Sequence, residues 1–354
     1  MLAYLLKRIL LMIPTLLGVI TLTFVVIQFV PGGPVEQMIL EMKGRGSSGG
    51  EASGGGVVAG ADYRGRAGVE PERIKEIQAL YGFDKPPLER YWLMLKRFAQ
   101  FDLGQSYFQH RSVWELVKSK MPVSISLGLW TFFLSYLISV PLGIAKAVRA
   151  GSRFDVATSL IVLVGYAIPG FVLGVLLLVL FGGGTFVQWF PLRGLTSDNW
   201  EQLSLAGKVL DYLWHMVLPV TASVIGSFAI VTMLTKNAFL EEIRKQYVLT
   251  ARAKGLSEKR VLWKHVFRNA LIPLVTGFPA AFIGAFFTGS LLIETLFSLD
   301  GLGLLSYEAV LRRDYPVVLG TLYLFTLIGL VTRLISDLCY VLVDPRIQFD
   351  AVGR

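Results

Sequence analysis

Ile9–Val30 reads ILLMIPTLLGVITLTFVVIQFV, an unbroken run without a formal charge. A helix rises about 1.5 Å per residue, so roughly 20 apolar residues carry the chain across the ~30 Å hydrocarbon core of a bilayer. This run is long enough to do so once. Working outward, the same feature recurs between Lys120 and Lys146, Asp155 and Arg193, Asp211 and Lys236, and Arg268 and Glu294. A sixth run begins after Asp314 and continues to Val343, interrupted by Arg333 and Asp337. The third interval is longer than one helix needs and leaves room for a re-entrant or extracytoplasmic tail. Of 354 residues, 54% are apolar and 17% charged, a balance that makes lipid the main solvent. The pattern predicts an all-α membrane protein with six transmembrane helices.

Six crossings place both termini on one side, and the positive residues of the short loops say which. The loop 145–155 carries Lys146, Arg149 and Arg153 against Asp155; the loop 236–268 carries nine Lys and Arg against Glu241, Glu242 and Glu258, net +6. The opposing loops 193–211 and 294–314 are net acidic. Because Lys and Arg are retained in the cytoplasm, the N- and C-termini are expected inside a bacterial plasma membrane. The net charge of +9 is then mostly topology, and no nucleic-acid partner is expected. The first run exceeds a signal-peptide core of ~7–15 residues and no small-x-small site follows, so it reads as a retained helix. The single cysteine, Cys339, excludes an intrachain disulfide and reads as a packing residue.

The expected organisation is an N-terminal helix at 1–30, a large extracytoplasmic loop at 31–120, a five-helix core at 121–343 and a cytoplasmic tail at 344–354. Within the loop, residues 44–68 contain ten glycines and few large apolar groups, too little to offset the entropy of ordering them. From Pro71, PERIKEIQALYGF places Ile74, Ile77, Leu80 and Tyr81 at helical spacing. A second amphipathic helix is predicted at Leu88–Phe98, with Tyr91, Trp92, Leu95 and Phe98 on one side.

The inner loop 236–268 is more than a basic stretch. Ala238–Lys254 reads as helix, and Gly255 as its C-terminal cap, since glycine enters the left-handed conformation without penalty. Ser257 then stands where it can cap a second helix, with Glu258 in the positive first turn and Val261, Leu262 and Val266 as an apolar strip. Helix, glycine corner and helix make a rigid knuckle expected to protrude into the cytosol.

At these residues the sequence resembles the permease subunits of ABC importers, in their dipeptide and oligopeptide branch. The motif is TARAKG at Thr250–Gly255 followed by His-x-x-RNALIP at His265–Pro273. The broad family has Glu where this chain has Leu249, and an Ile-x-Leu-Pro ending where it has His265–Arg268. The likeness continues through PGGP at Pro31–Pro34, FDLGQS at Phe101–Ser106, PVSISLGLW at Pro122–Trp130, PLGI at Pro141–Ile144, FTGSLLIETLFSLDGLGLL at Phe287–Leu305 and DPRI at Asp344–Ile347. The glycine-rich insertion with YRG at Tyr63–Gly65, the YGFDKP of Tyr81–Pro86 and the wording of Lys236–Gly255 are most similar to the Yej-type permeases, which import oligopeptides and the peptide-nucleotide antibiotic microcin C. The resemblance implies a type I, MetI-like permease fold working with a second, related permease, ABC ATPase subunits and an extracytoplasmic substrate-binding protein. It assigns Tyr247, Thr250, Ala251, Arg252, Ala253, Lys254, Gly255 and Leu256 to the coupling element that docks on the ATPase. It also places Glu294, Gly301 and Gly303 near an outer gate, although Glu294 equally suits a plain membrane boundary.

No Gly-x-x-x-x-Gly-Lys-Ser/Thr loop occurs, so ATP and Mg are expected on the partner ATPase, with no cofactor or metal on this chain. The spans hold almost no ionisable groups, which disfavours an ion-coupled carrier working alone. No HExxH motif and no paired intramembrane carboxylates support an intramembrane enzyme. His215 reads as a structural anchor beside Trp214, and Arg333 and Asp337, four apart, as a mutually neutralising pair. Pro14, Pro141, Pro169-Gly170, Pro219, Pro273 and Pro279 are sites where helices can kink around a cavity. They single out no substrate-binding residues.

Overall fold

A computed structural model describes residues 2–30, 83–183, 186–287 and 290–343. The glycine-rich segment 44–68, the helix expected from Pro71, the Pro31–Pro34 motif and the tail 344–354 lie outside the described residues. Among the described residues the regular structure is helical, apart from a single bridge between Gln105 and Ser112.

The helices are α1 (Leu2–Phe29), α2 (Pro87–Ala99), α3 (Val113–Val148), α4 (Arg153–Ala167), α5 (Gly170–Phe181), α6 (Leu205–Ile243), α7 (Gln246–Ala253), α8 (Glu258–Ala270), α9 (Ile272–Phe287), α10 (Leu291–Leu296), α11 (Leu302–Arg312) and α12 (Tyr315–Val343). Four of them, α1, α3, α6 and α12, are long and apolar enough to cross a bilayer. Two bent pairs, α4 with α5 at 92° and α8 with α9 at 49°, pass the same test together, and counting each as one crossing gives the six that the charge-free runs predict. The sharper bend follows from Pro169: the residue before a proline is pushed out of the helical region, and Ile168 is extended at ψ 116°. The third interval thus holds a helix followed, at a 92° corner, by a second, shorter one, the geometry of a broken crossing or of a re-entrant segment. Several helices overrun the charges expected to bound them: α3 continues past Lys146 and α6 past Lys236.

Two compact units emerge. In the larger, drawn from Met1–Leu10, Lys118–Leu305 and Ile328–Arg354, two apolar clusters form the core. One gathers Leu127, Leu178, Met216, Leu218, Ala222, Ile293 and Phe297 from α3, α5, α6 and α10. The other gathers Ile144, Ala147, Phe239, Val248, Ala251, Val261, Val266 and Ala270 from α3, α6, α7 and α8. Near the second cluster α3 and α6 cross closely: a Cβ on Gly143 would stand 2.6 Å from Thr235 Cβ and 2.8 Å from the Thr232 carbonyl. Also in this unit, Asp337 of α12 meets Arg8 at 2.6 Å and accepts from Tyr4 Oη at 3.1 Å, both on α1. The intrahelical pair with Arg333 expected from spacing is not made; a cation one turn before an acid is the weaker order against the helix dipole.

The smaller unit, Leu11–Val117 with Ser306–Leu327, packs Phe98, Leu103, Val113 and Leu116 with Val317, Leu319 and Tyr323. Helix α2 is amphipathic as predicted, but the face differs: Tyr91, Met94, Leu95 and Phe98 turn inward, whereas Trp92 is 58% exposed. The inward set has the i, i+3, i+4, i+7 period of a helix stripe, which Trp92 breaks. Phe98 meets Tyr323 ring to ring at 5.1 Å, and the Asp314 carboxylate holds the Ser106 hydroxyl and, at 3.1 Å, the Tyr107 amide.

Candidate functional site

The predicted helix Ala238–Lys254 is two helices. Helix α6 stops at Ile243 and α7 starts at Gln246, with Lys245 extended between them at φ −74° and ψ 152°. The cause is the buried carboxylate of Glu242, which receives the Lys245 ammonium and, at 2.6 Å, the Tyr247 hydroxyl. The Tyr247 oxygen in turn accepts from Asn269 Nδ2 at 3.2 Å. One polar relay thereby ties α6, α7 and α8 together. Burial and the bond to Glu242 push the Tyr247 phenol above its usual range, and the same carboxylate raises the Lys245 ammonium.

At its other end α7 closes in a Schellman motif. Gly255 has φ +80°, its amide donates to Arg252 O at 2.9 Å, and the Leu256 amide donates to Ala251 O at 3.3 Å. The Arg252 guanidinium then forks across the corner to Glu258, at 2.8 and 3.0 Å. Ser257 occupies the N-cap position of α8, but its hydroxyl makes no cap bond. Glu258, expected to act on the helix dipole alone, is held by Arg252 as well. Beyond it, Val261–Val266 is π-helical, and Val261 and Val266 are buried as the expected strip.

The structure sorts the predicted coupling residues into two sets. Ala251 is buried, and Tyr247 and Leu256 are half-buried against the knuckle's own core. Thr250, Arg252, Ala253, Lys254 and Gly255 face outward, joined by Leu249, which is 49% exposed. Trp263, 52% exposed beside Lys259, Arg260 and Lys264, extends this face, stacking obliquely on Phe267 at 4.9 Å. Sequence reasoning missed Trp263, because a single exposed aromatic among basic residues has no periodic signature. It also missed Glu242 and Asn269, whose roles need a turn that spacing does not reveal.

The second predicted group does come together. Glu294 lies in the separate short helix α10, not at the end of α9, and is fully buried. Its carboxylate accepts from the Leu304 amide at 2.7 Å and from Ser124 Oγ at 3.3 Å, while Ser124 Oγ accepts from the Leu302 amide at 2.8 Å. The Gly303 amide also bonds to it. Glu294 therefore stands as a hydrogen-bond acceptor at the N-terminus of α11. Burial nevertheless pushes its carboxyl above the usual range. A Cβ on Gly301 would stand 2.5 Å from this carboxylate, so the loop closes over it only with glycine there. His215 is buried, with Nδ1 2.8 Å from Asp211 O, an internal contact of α6. Among the described residues, no group of three His, Cys, Asp or Glu side chains is placed to hold a metal.

Residues 139–349, which include the knuckle and the Glu294 loop, match the family described as binding-protein-dependent transport system inner membrane component. A "Peptidoglycan transport system permease protein YejB" of Agrobacterium fabrum is 55% identical over 98% of both chains. An "Inner membrane ABC transporter permease protein YejB" of Escherichia coli O157:H7 is 56% identical over 98% of this chain and 99% of its own. A "Di/tripeptide transport system permease protein DppB" of Pseudomonas aeruginosa is 33% identical over 98% and 99%. The chain thus belongs to the family of binding-protein-dependent inner-membrane transport components, among the Yej-type and dipeptide permeases of ABC importers.

Proposed function

We propose that this chain forms half of the translocation path of an ATP-driven peptide importer and takes up the energy of a separate ATPase through the knuckle of α7 and α8. The observation that carries this reading is the two-sided build of the knuckle. Its inner face is locked by apolar packing and the Glu242–Tyr247–Asn269 relay, while its outer face exposes Leu249, Thr250, Arg252, Ala253 and Lys254, and the exposed Trp263 is braced on Phe267. A stiff element with a small-residue face can transmit a push; a solvated basic loop cannot.

In this reading the termini and the knuckle face the cytosol, a second permease completes the path, and an extracytoplasmic binding protein delivers substrate. Nucleotide-driven closure of the ATPases would shift the spans between inward- and outward-open states. The name of the Pseudomonas relative supports di- and tripeptides as cargo, and that of the Agrobacterium relative supports peptidoglycan. Microcin C belongs to the same chemical class, a peptide carrying a nucleotide.

The test is transport by purified protein in lipid vesicles, with and without the second permease, ATPase and ATP. Uptake of labelled peptides that strictly requires all of them is expected. Uptake by this chain alone would replace the proposal with a lone carrier or channel. Competition among di-, tri- and longer peptides, cell-wall peptides and microcin C then sets the substrate class.

A further inference from the structure

Lys146, Asp155 and Lys236 enter the sequence reading as topology signals, a role that needs only solvated cations at the membrane edge. The structure buries them. Lys146 of α3 is 0% exposed, and its ammonium donates to Asp155 O at 3.0 Å, Thr158 Oγ1 at 2.9 Å and Ser159 Oγ at 2.7 Å, with Asp155 Oδ1 at 3.2 Å. The Lys236 ammonium of α6 donates to both oxygens of the same carboxylate, at 2.7 and 2.9 Å. The Gly151 amide adds a third donor at 3.1 Å, and Ser152 caps α4 just before it. Three helices meet at one aspartate.

Where this junction sits gives it a use. Lys146 lies between Ile144 and Ala147, and Lys236 one turn before Phe239; all three neighbours belong to the apolar cluster under the knuckle. No residue of α4 does. The ends of α3 and α6 therefore feel the knuckle directly, whereas α4 is tied to those same ends by the two lysines. Apolar surfaces allow sliding, but a buried, fully hydrogen-bonded charge cluster fixes register, the best-attested use of such costly groups.

Resting on the reading of the knuckle as the ATPase-docking element, we propose that Lys146, Asp155 and Lys236 are positioning residues that pass its movement to α4 and so to the bent crossing α4–α5. Breaking the junction then uncouples: the ATPase still docks and hydrolyses, but the path does not follow.

The test uses the assembled importer in vesicles with its binding protein and a labelled peptide, measuring peptide imported per ATP hydrolysed. Asp155→Asn keeps size and Lys236→Met keeps the aliphatic stem, and Lys236 is already at the edge of the cluster. Both variants are expected to retain the ATPase on purification, to hydrolyse ATP with less dependence on the binding protein, and to import about tenfold less peptide per ATP, within the usual range of coupling between sites. Asp155→Glu, which keeps the charge, is expected to recover part of that ratio. An unchanged ratio overturns the inference, including the case where hydrolysis and uptake fall together. So does loss of the ATPase from both variants, or failure of both to accumulate in the membrane, which would assign the cluster to folding alone. Absence of ATP-dependent uptake with the unaltered chain would overturn instead the docking reading beneath it.

Discussion

Gly255 shows how one backbone torsion shapes the knuckle. A Cβ there would meet nothing within 4 Å, so the demand for glycine comes from φ +80° alone and not from space. Gly255→Val should cost about 1–2 kcal/mol at the corner, with loss of ATPase co-purification and peptide uptake, whereas Gly255→Asn, tolerant of left-handed backbone, should retain most of both. Gly301 has the opposite reason for being glycine, since its missing Cβ makes room for the Glu294 carboxylate. Glu294→Ala leaves the Gly303 and Leu304 amides without their acceptor, about 1–3 kcal/mol for each buried donor. Thermal melting in detergent is expected to fall clearly for Glu294→Ala and Gly301→Ala, and less for Glu294→Gln, which keeps one oxygen. The need for glycine at 255 was legible because helix, glycine and helix follow one another in the sequence. The partners of Glu294 were not, because Ser124 lies 170 residues away and the Leu304 amide is part of the backbone.

On the scale of elements, the two alanines of the TARAKG motif separate the buried face of the knuckle from the face proposed to dock. Ala251 faces the buried cluster of Phe239, Val248 and Val266, while Ala253, two residues on, faces out. Ala251→Leu overfills that core, for which about 1–3 kcal/mol is typical, and should lower the melting temperature and membrane yield. Ala253→Leu should leave both unchanged and weaken only the association with the ATPase, measured by co-purification. The sequence located the knuckle because charge, glycine and small residues are local features. It did not divide the first helix at Arg244–Lys245, because the break depends on a buried carboxylate gathering Lys245 and Tyr247. It also misplaced Trp92 on α2, where the total apolar content was right but the period was satisfied by Met94 instead.

For the molecule as a whole, orientation is the claim on which the proposed energy transfer turns. With Cys339→Ser as background, a thiol introduced by Ala253→Cys should react with a membrane-impermeant reagent only from the cytosolic side, in spheroplasts against inverted vesicles. The six crossings were legible because a bilayer imposes length and polarity directly on sequence. The clustering of Lys146, Asp155 and Lys236 was not, since charges at helix ends look alike whether they are solvated or gathered around one carboxylate. The 92° corner between α4 and α5 has a consequence for the solvent itself. At about 1.5 Å per residue the fifteen residues of α4 and the twelve of α5 reach only about 22 and 18 Å, so neither spans a ~30 Å core unaided. The height of this crossing is set by how far the elbow opens, so thicker lipid favours a wider angle and thinner lipid a narrower one. Transport in vesicles of graded acyl-chain length should therefore pass through an optimum, with bilayer thickness acting as a mechanical load on the elbow.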